Sequence, residues 1–225
     1  YSKGSGFVPA QGSGSNGILL LGEAPGVVEA KTSQPFRGPA GLMLATMLHR
    51  LGMNRDDFLI TNRSLCVPPR LWMEGAPWEQ SAIEHCRPYF QQVLEQNPQI
   101  KVIMPLGNSA MHYLLQQKGI SNFHGTAHWH AVLEKWIVPS FHPSYLMRGN
   151  WREIQTSRFD FGVAADIAAK CMSSPPELAH KRLPVDYLQE PSATSGWEWA
   201  YAYKAAWQAD PELPLAADIE PLWQP

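Results

Sequence analysis

Four short apolar runs set the terms for this fold: ILLL (18–21), FLIT (58–61), VIMPL (102–106) and WIVPSF (136–141), each stopping at a glycine or a polar residue. Runs so short and so uniformly apolar read as strands covered on both faces. Between and after them lie segments of helical periodicity. GLMLATMLHRLG (41–52) places Leu42, Met43, Met47, Leu48 and Leu51 on one face, with Gly52 as a stop. QSAIEHCRPYFQQVLEQ (80–96) reads as helix despite Pro88, NSAMHYLLQQKG (108–119) as helix closed by Gly119, and WREIQTSRFDFGVAADIAAKC (151–171) as a final helix. HAVLEKWIVPSFHPS (130–144) suggests a hairpin or paired strands ending at Phe141. Strands alternating with helices predict an α/β fold, a three-layer αβα sandwich around a central, mainly parallel four-stranded sheet. The Gly- and Ser-rich residues 1–17 read as loop. Their GSGSNG precedes a strand instead of following one, so it is not read as a dinucleotide loop.

In open parallel sheets, ligands bind beyond the carboxyl ends of the strands. Three strand ends here carry polar groups: GEAPG (22–26), TNRSLC (61–66) and FHPSYL (141–146). Their common position lets them converge on one pocket. The net charge of −2 argues against a polyanionic partner only on average. Residues 175–225 hold eight of the twenty acids and three of the eighteen bases, which leaves residues 1–174 with three surplus positive charges. Style also changes past Ser173, from alternating elements to a Pro-interrupted polar linker and an aromatic stretch. The expected domains are therefore 1–173 and 174–225. No apolar run approaches the roughly 18 residues of a membrane span. Three widely spaced cysteines, Cys66, Cys86 and Cys171, suit a reducing cytoplasm better than a disulfide framework. The first residue is not methionine, and the chain reads as an excised fragment.

GEAPGVVEAKTSQPFRGPAG, TNRSLCVPP and FHPSYLMR, in that order, closely resemble the three motif blocks of the uracil-DNA glycosylase superfamily, most like its iron–sulfur-containing family 4. The resemblance covers residues 1 to about 172. It implies a DNA glycosylase that hydrolyses the N-glycosidic bond of uracil by base flipping and leaves an abasic site. Such an enzyme must extrude the nucleotide, stack the base and read its Watson–Crick edge. Phe36 matches the family's stacking aromatic. Asn62 matches the amide that reads uracil, offering a donor and an acceptor side by side. His142 matches the histidine that stabilises the departing base. An ordinary core Phe and a turn-capping Asn are the structural alternatives.

The same resemblance implies roles for the neighbours. Ala24 occupies the position where sister families place a water-activating Asp or Asn, and Gly26 the position of a tyrosine that blocks thymine. Glu23 is then the expected water-positioning or pocket-ordering carboxylate, unless it only caps the following turn. Glu29 helps to shape the pocket. In the last block, Leu146 is the matched wedge that replaces the extruded base, and Ser144 and Arg148 are expected DNA contacts, a solvated surface Arg being the other reading of Arg148. Family 4 holds a four-iron, four-sulfur cluster on four cysteines. Cys66 and Cys86 match the later pair, and truncation upstream of Tyr1 is the expected reason that the earlier pair is missing. The alternative is a chain that has lost the cluster.

Two further expectations complete the reading. PLAADIEP (214–221) resembles the first acidic motif of the exonuclease domain of family A DNA polymerases, with Asp218 and Glu220 as metal-holding acids. That suggests a phage-type glycosylase–polymerase fusion acting in the host cytoplasm, its exonuclease truncated here. The rivals to the glycosylase are a non-catalytic uracil- or DNA-binding module beside a polymerase, and a phosphate-binding α/β protein using GEAPG as an anion loop.

Overall fold

A computed structural model describes residues 4–150 and 152–173, and in them the four apolar runs form the central sheet. The elements are β1 (Ser5–Phe7), β2 (Ile18–Gly22), α1 (Val27–Thr32), α2 (Pro39–Arg50), β3 (Leu59–Asn62), β4 (Cys66–Val67), α3 (Glu79–Gln96), β5 (Val102–Pro105), α4 (Asn108–Leu115), β6 (His128–His130), β7 (Lys135–Ile137), α5 (Pro143–Met147) and α6 (Glu153–Ser173). The sheet order is β3-β2-β5-β7-β6. Four strands are parallel, as expected, and β6 adds an antiparallel fifth at the edge by a hairpin to β7.

Side-chain alternation along β2 builds the three layers. Ile18 and Leu20 pack with Leu44, Met47 and Leu48 of α2 and Phe161 and Ala164 of α6. Leu19 and Leu21 face the other way, toward Phe90 of α3 and Ala110 and Leu114 of α4. A strand sandwiched between helical layers must be apolar on both faces, which is why ILLL shows no alternation.

Three local expectations change. In α2 the inward residues are Gly41, Leu44, Met47 and Leu48, whereas Leu42 is 71% exposed. Met47 and Leu48 face inward and Met43 and Leu51 pack against the same core, as expected; Leu42 alone of the five points to solvent, and Leu44 takes its place. Helix α4 stops at Leu115, with Gln116 in the left-handed conformation. Gly119 instead opens a separate 3-10 turn, its N–H donated to Asn108 Oδ1 at 3.1 Å. Within residues 1–17, expected as loop, Ser5–Phe7 pairs antiparallel with Cys66–Val67. Among the described residues no helix is long and apolar enough to cross a membrane. Asp218 and Glu220 lie outside the described residues.

Candidate active site

Sheet register brings the three polar loops to one place. Gly22 pairs with Asn62, Leu21 with Pro105, and Leu106 bridges to Ser140, so the chain leaves the sheet at one edge in three neighbouring turns. They enclose a cavity of about 210 Å³, and Ala24, Gly26, Glu29, Phe36, Asn62 and His142 all line it. The start of α2, at Gly38, Pro39 and Ala40, closes a further side.

Glu29 organises the wall. Its carboxylate accepts three backbone N–H groups, from Gly26 at 3.1 Å, Arg37 at 2.8 Å and Gly38 at 2.7 Å. One buried side chain thus ties the loop after β2 to the loop that carries Phe36. Charge-assisted bonds of this kind are the stronger class, and they sit beside a strained residue. Phe36 has φ of 51°, a left-handed conformation that costs a bulky residue about 1–3 kcal/mol. Arg55 adds a 2.7 Å bond to the carbonyl of Pro35. The Phe36 ring then stands with its centroid 5.8 Å from that of His142, tilted by 36°.

Two glycines are required by this packing. A Cβ on Gly22 would run into Asn62 Oδ1 and approach two ring atoms of Phe36 to 2.8 Å, and one on Gly41 would run into the Phe36 carbonyl. Asn62 is buried at 4% exposure at the end of β3, and its amide has no hydrogen-bond partner among the described residues. It caps no turn. Its donor and acceptor are left for whatever enters the cavity.

His142 heads α5. Its Nδ1 accepts the Ser144 N–H at 3.1 Å and lies 2.7 Å from the Ser144 hydroxyl. A neutral imidazole that accepts at Nδ1 carries its proton on Nε2. Burial pushes its pKa down to about 4, with the Arg148 charge acting in the same direction, so the ring is neutral at pH 7.

Glu23 stands apart from these groups, for its carboxylate does not line the cavity. Its Oε1 lies 3.5 Å from Arg63, whose NH2 group also holds Glu79 at 2.6 Å. Arg63 is 2% exposed, and Glu79 in turn accepts the Gly75 N–H at 2.7 Å. Burial raises the Glu23 pKa and Arg63 opposes the rise. Sequence reading missed Arg63. An arginine directly after a strand-end Asn gives no sign that it turns inward to bridge two carboxylates.

Leu146 is the residue that the resemblance offers as a wedge. Leu146 is 1% exposed and belongs to the core cluster beneath the site, because the fourth residue after His142 falls on the inner face of the short α5. Ser144 is half-buried and engaged with His142, and Arg148 is exposed at the end of α5.

Cys66 and Cys86 are free thiols, Cys66 half-buried and Cys86 buried. Burial raises the Cys66 pKa, and the nearby Cys86 raises it further. Two thiols do not make the four-thiolate set an iron–sulfur cluster takes, and among the described residues no group of three or more His, Cys, Asp or Glu could hold a metal. The described residues therefore do not fit the cluster on their own. In HWH (128–130), His128 contacts the Thr126 hydroxyl at 2.7 Å and His130 accepts the Leu133 N–H.

Comparison with known proteins matches residues 9–160 to the uracil DNA glycosylase superfamily. The chain is 34% identical over 151 residues to the type-4 uracil-DNA glycosylase of Thermotoga maritima, covering 66% of this chain and 75% of that protein. Identity to the Sulfurisphaera tokodaii type-4 enzyme is 31% over 195 residues, 80% of this chain and 79% of that one. For the Archaeoglobus fulgidus type-4 enzyme it is 33% over 165 residues, 68% and 78% of the two chains.

Proposed function

Because the chain belongs to the uracil-DNA glycosylase superfamily, with type-4 enzymes among its relatives, we propose that its cavity excises uracil from DNA by hydrolysis and that a neutral histidine drives the step. The observation that carries this reading is the meeting of three groups at one cavity: the Phe36 ring, the unpartnered Asn62 amide and the neutral His142.

The extruded uracil lies against Phe36, and Asn62 reads it by accepting from N3–H and donating to O4. Cytosine's edge presents the opposite pattern there, and a buried amide facing the wrong partner rejects it strongly. As the glycosidic bond breaks, negative charge gathers on the base and positive charge on the sugar. His142, with its proton on Nε2, donates to the base oxygen where that charge develops. A preorganised donor in a dry site commonly contributes about 3 kcal/mol to such a barrier. Ala24 offers no group to activate water. Glu29 is committed to three backbone N–H groups and shapes the wall. Glu23 pairs with Arg63 outside the cavity lining and supports the loop after β2. Ser144 fixes the His142 tautomer, and Arg148 meets DNA phosphate.

Toward an iron–sulfur cluster the described residues supply only Cys66 and Cys86. An association with a DNA polymerase rests on the Asp218 and Glu220 motif alone, and the setting proposed is cytoplasmic.

The test is incubation of a uracil-bearing oligonucleotide with the protein followed by alkali. Strand scission at the uracil is the expected result. Binding without scission would favour a non-catalytic module, and neither would remove the reading. Loss of scission in His142→Ala and Asn62→Ala variants that retain the wild-type melting temperature ties it to this cavity.

A further inference from the structure

His142 acts from just beyond the end of a strand, and part of what fixes that end lies outside the cavity lining. Asp160, in α6, is fully buried. Its Oδ1 accepts the Gly125 N–H at 2.7 Å. Its other oxygen and the hydroxyl of Ser140, also fully buried, have no further partner among the described residues. The two groups are neighbours: burial raises the Asp160 pKa to about 7, and the Ser140 hydroxyl opposes the rise. A buried carboxyl is costly, and an apolar side chain would fill the same space without that cost. Stability therefore does not account for an acid here. What an acid adds is a hold on two separate segments.

Both segments bear on His142. Ser140 stands two residues before it, where its N–H donates to the Pro105 carbonyl at 3.1 Å and its carbonyl accepts the Gly107 N–H at 2.8 Å. Gly107, at a φ of 92° that favours glycine, packs so closely on the histidine that a Cβ there would lie 3.0 Å from the Cβ of His142. A shift of Ser140 thus reaches the imidazole from two directions, along the chain and through Gly107. Gly125 follows His124, whose ring centroid lies 5.5 Å from that of Phe141, and Phe141 stacks on Tyr145 at 5.2 Å. The carboxyl therefore bears on Ser140 directly and on Phe141 through the ring of His124. Neither hold depends on charge, because Oδ1 accepts the Gly125 N–H with or without a proton on the group and a serine hydroxyl both donates and accepts.

On the glycosylase reading above, we propose that Asp160 is a positioning residue for uracil excision, holding Gly125 and Ser140 so that the His142 imidazole keeps its place at the cavity.

The experiment follows each variant by single-turnover excision from a uracil-bearing oligonucleotide, by affinity for that oligonucleotide, and by NMR titration of the His142 imidazole. Asp160→Ala removes both holds. Since a misplacement of about 1 Å commonly costs about 100-fold, a partial release should slow excision on the order of 30-fold, with affinity kept within about threefold. The His142 pKa should rise from about 4 toward 6.5 as the loosened ring gains water. Asp160→Asn keeps an acceptor for Gly125 and a donor for Ser140, and should restore the rate to within about threefold of wild type. Ser140→Ala deletes one oxygen and leaves the backbone bonds in place; it should slow excision about fivefold, and it decides the matter should Asp160→Ala not fold. The assignment is overturned if either alanine variant, folded, excises as fast as wild type, if the loss appears in affinity and not in rate, if Asp160→Asn is as slow as Asp160→Ala, or if the rate falls while the His142 pKa stays near 4. Absence of excision by the wild type overturns the functional reading and the role in excision with it, while the titration still decides whether Asp160 fixes the imidazole.

Discussion

Gly22 offers the sharpest test of how the site is held. It ends β2 opposite Asn62, and its backbone is not in the left-handed region, so alanine is acceptable to the chain itself. The methyl group is the whole perturbation. It would meet Asn62 Oδ1 and sit 2.8 Å from Cε2 and Cζ of Phe36. Carbon–carbon contacts are comfortable at about 3.5–4.0 Å, so the ring must retreat by about 1 Å while the amide rotates away. Both displaced groups line the cavity. A misplacement of about 1 Å commonly costs on the order of 100-fold in rate, equivalent to about 2.7 kcal/mol of barrier. Overpacking of this kind lowers stability by only about 1–3 kcal/mol, so the variant should remain folded at 25 °C. Gly22→Ala is therefore expected to lose about 100-fold in single-turnover uracil excision with a melting temperature only a few degrees down. Excision within threefold of wild type would refute the reasoning, since Phe36 and Asn62 could not then need their present positions.

Three further predictions concern charge. If excision needs the neutral imidazole, its rate should stay level from pH 8 down to about 5 and decline only as His142 begins to protonate near 4, whereas a fall centred at 6 to 6.5 in a pH–rate profile would contradict the buried ring. Asp160, buried with Oδ1 accepting the Gly125 N–H at 2.7 Å, has its pKa raised by burial to about 7. The folded state therefore keeps a proton that the unfolded chain sheds above about 4, and stability is lost as pH rises from 4 to 7. Relative to wild type, Asp160→Asn should gain roughly 4 kcal/mol over that window in urea unfolding, and a difference that does not vary with pH would exclude it. Arg63→Met strands Glu23 and Glu79 in a partly buried site. It should cost about 2 kcal/mol or more in urea unfolding and raise the Glu23 pKa further, read by carboxylate NMR titration.

The sheet was legible because burial on both faces forces an all-apolar strand, a requirement few other structures impose on so short a run. The meeting of GEAPG, TNRSLC and FHPSYL was legible for a related reason: parallel strands in register end on one edge, whatever joins them. What escaped was set by side-chain direction. Leu44, Met47, Leu48 and Leu51 follow the i, i+3, i+4, i+7 spacing and Leu42 does not, so the outward turn of Leu42 was legible in the periodicity and hidden only by its apolar character. Leu146 and Met147 are adjacent and chemically alike, and the turn of α5 alone decides which is core. Glu29 could be assigned to the pocket but not given its task, because its acceptors' partners lie eight and nine residues downstream across a loop of unpredictable path. Arg63 is the extreme case. Burial of a guanidinium is so costly that sequence argues against it, and only two carboxylates arriving from separate elements make it tolerable.

The placement of the carboxylates bears on how the proposed reaction proceeds. A base that activates water needs a free oxygen facing the sugar, yet Glu29 spends its acceptors on the backbone and Glu23 is turned toward Arg63. Ala24 has nothing to offer. A site so arranged does little to strengthen the nucleophile, and its effect on the barrier must come from the leaving side. That suits bond breaking that runs ahead of water attack: a cation-like sugar accepts a weak nucleophile, provided that the departing base is held as an anion. A neutral His142 fits the demand better than a charged one. Burial keeps it neutral, and its Nε2–H is aimed through the Ser144 contact before any substrate arrives. The strain at Phe36 and the three bonds of Glu29 then have one purpose, which is to fix the base where that donor already points.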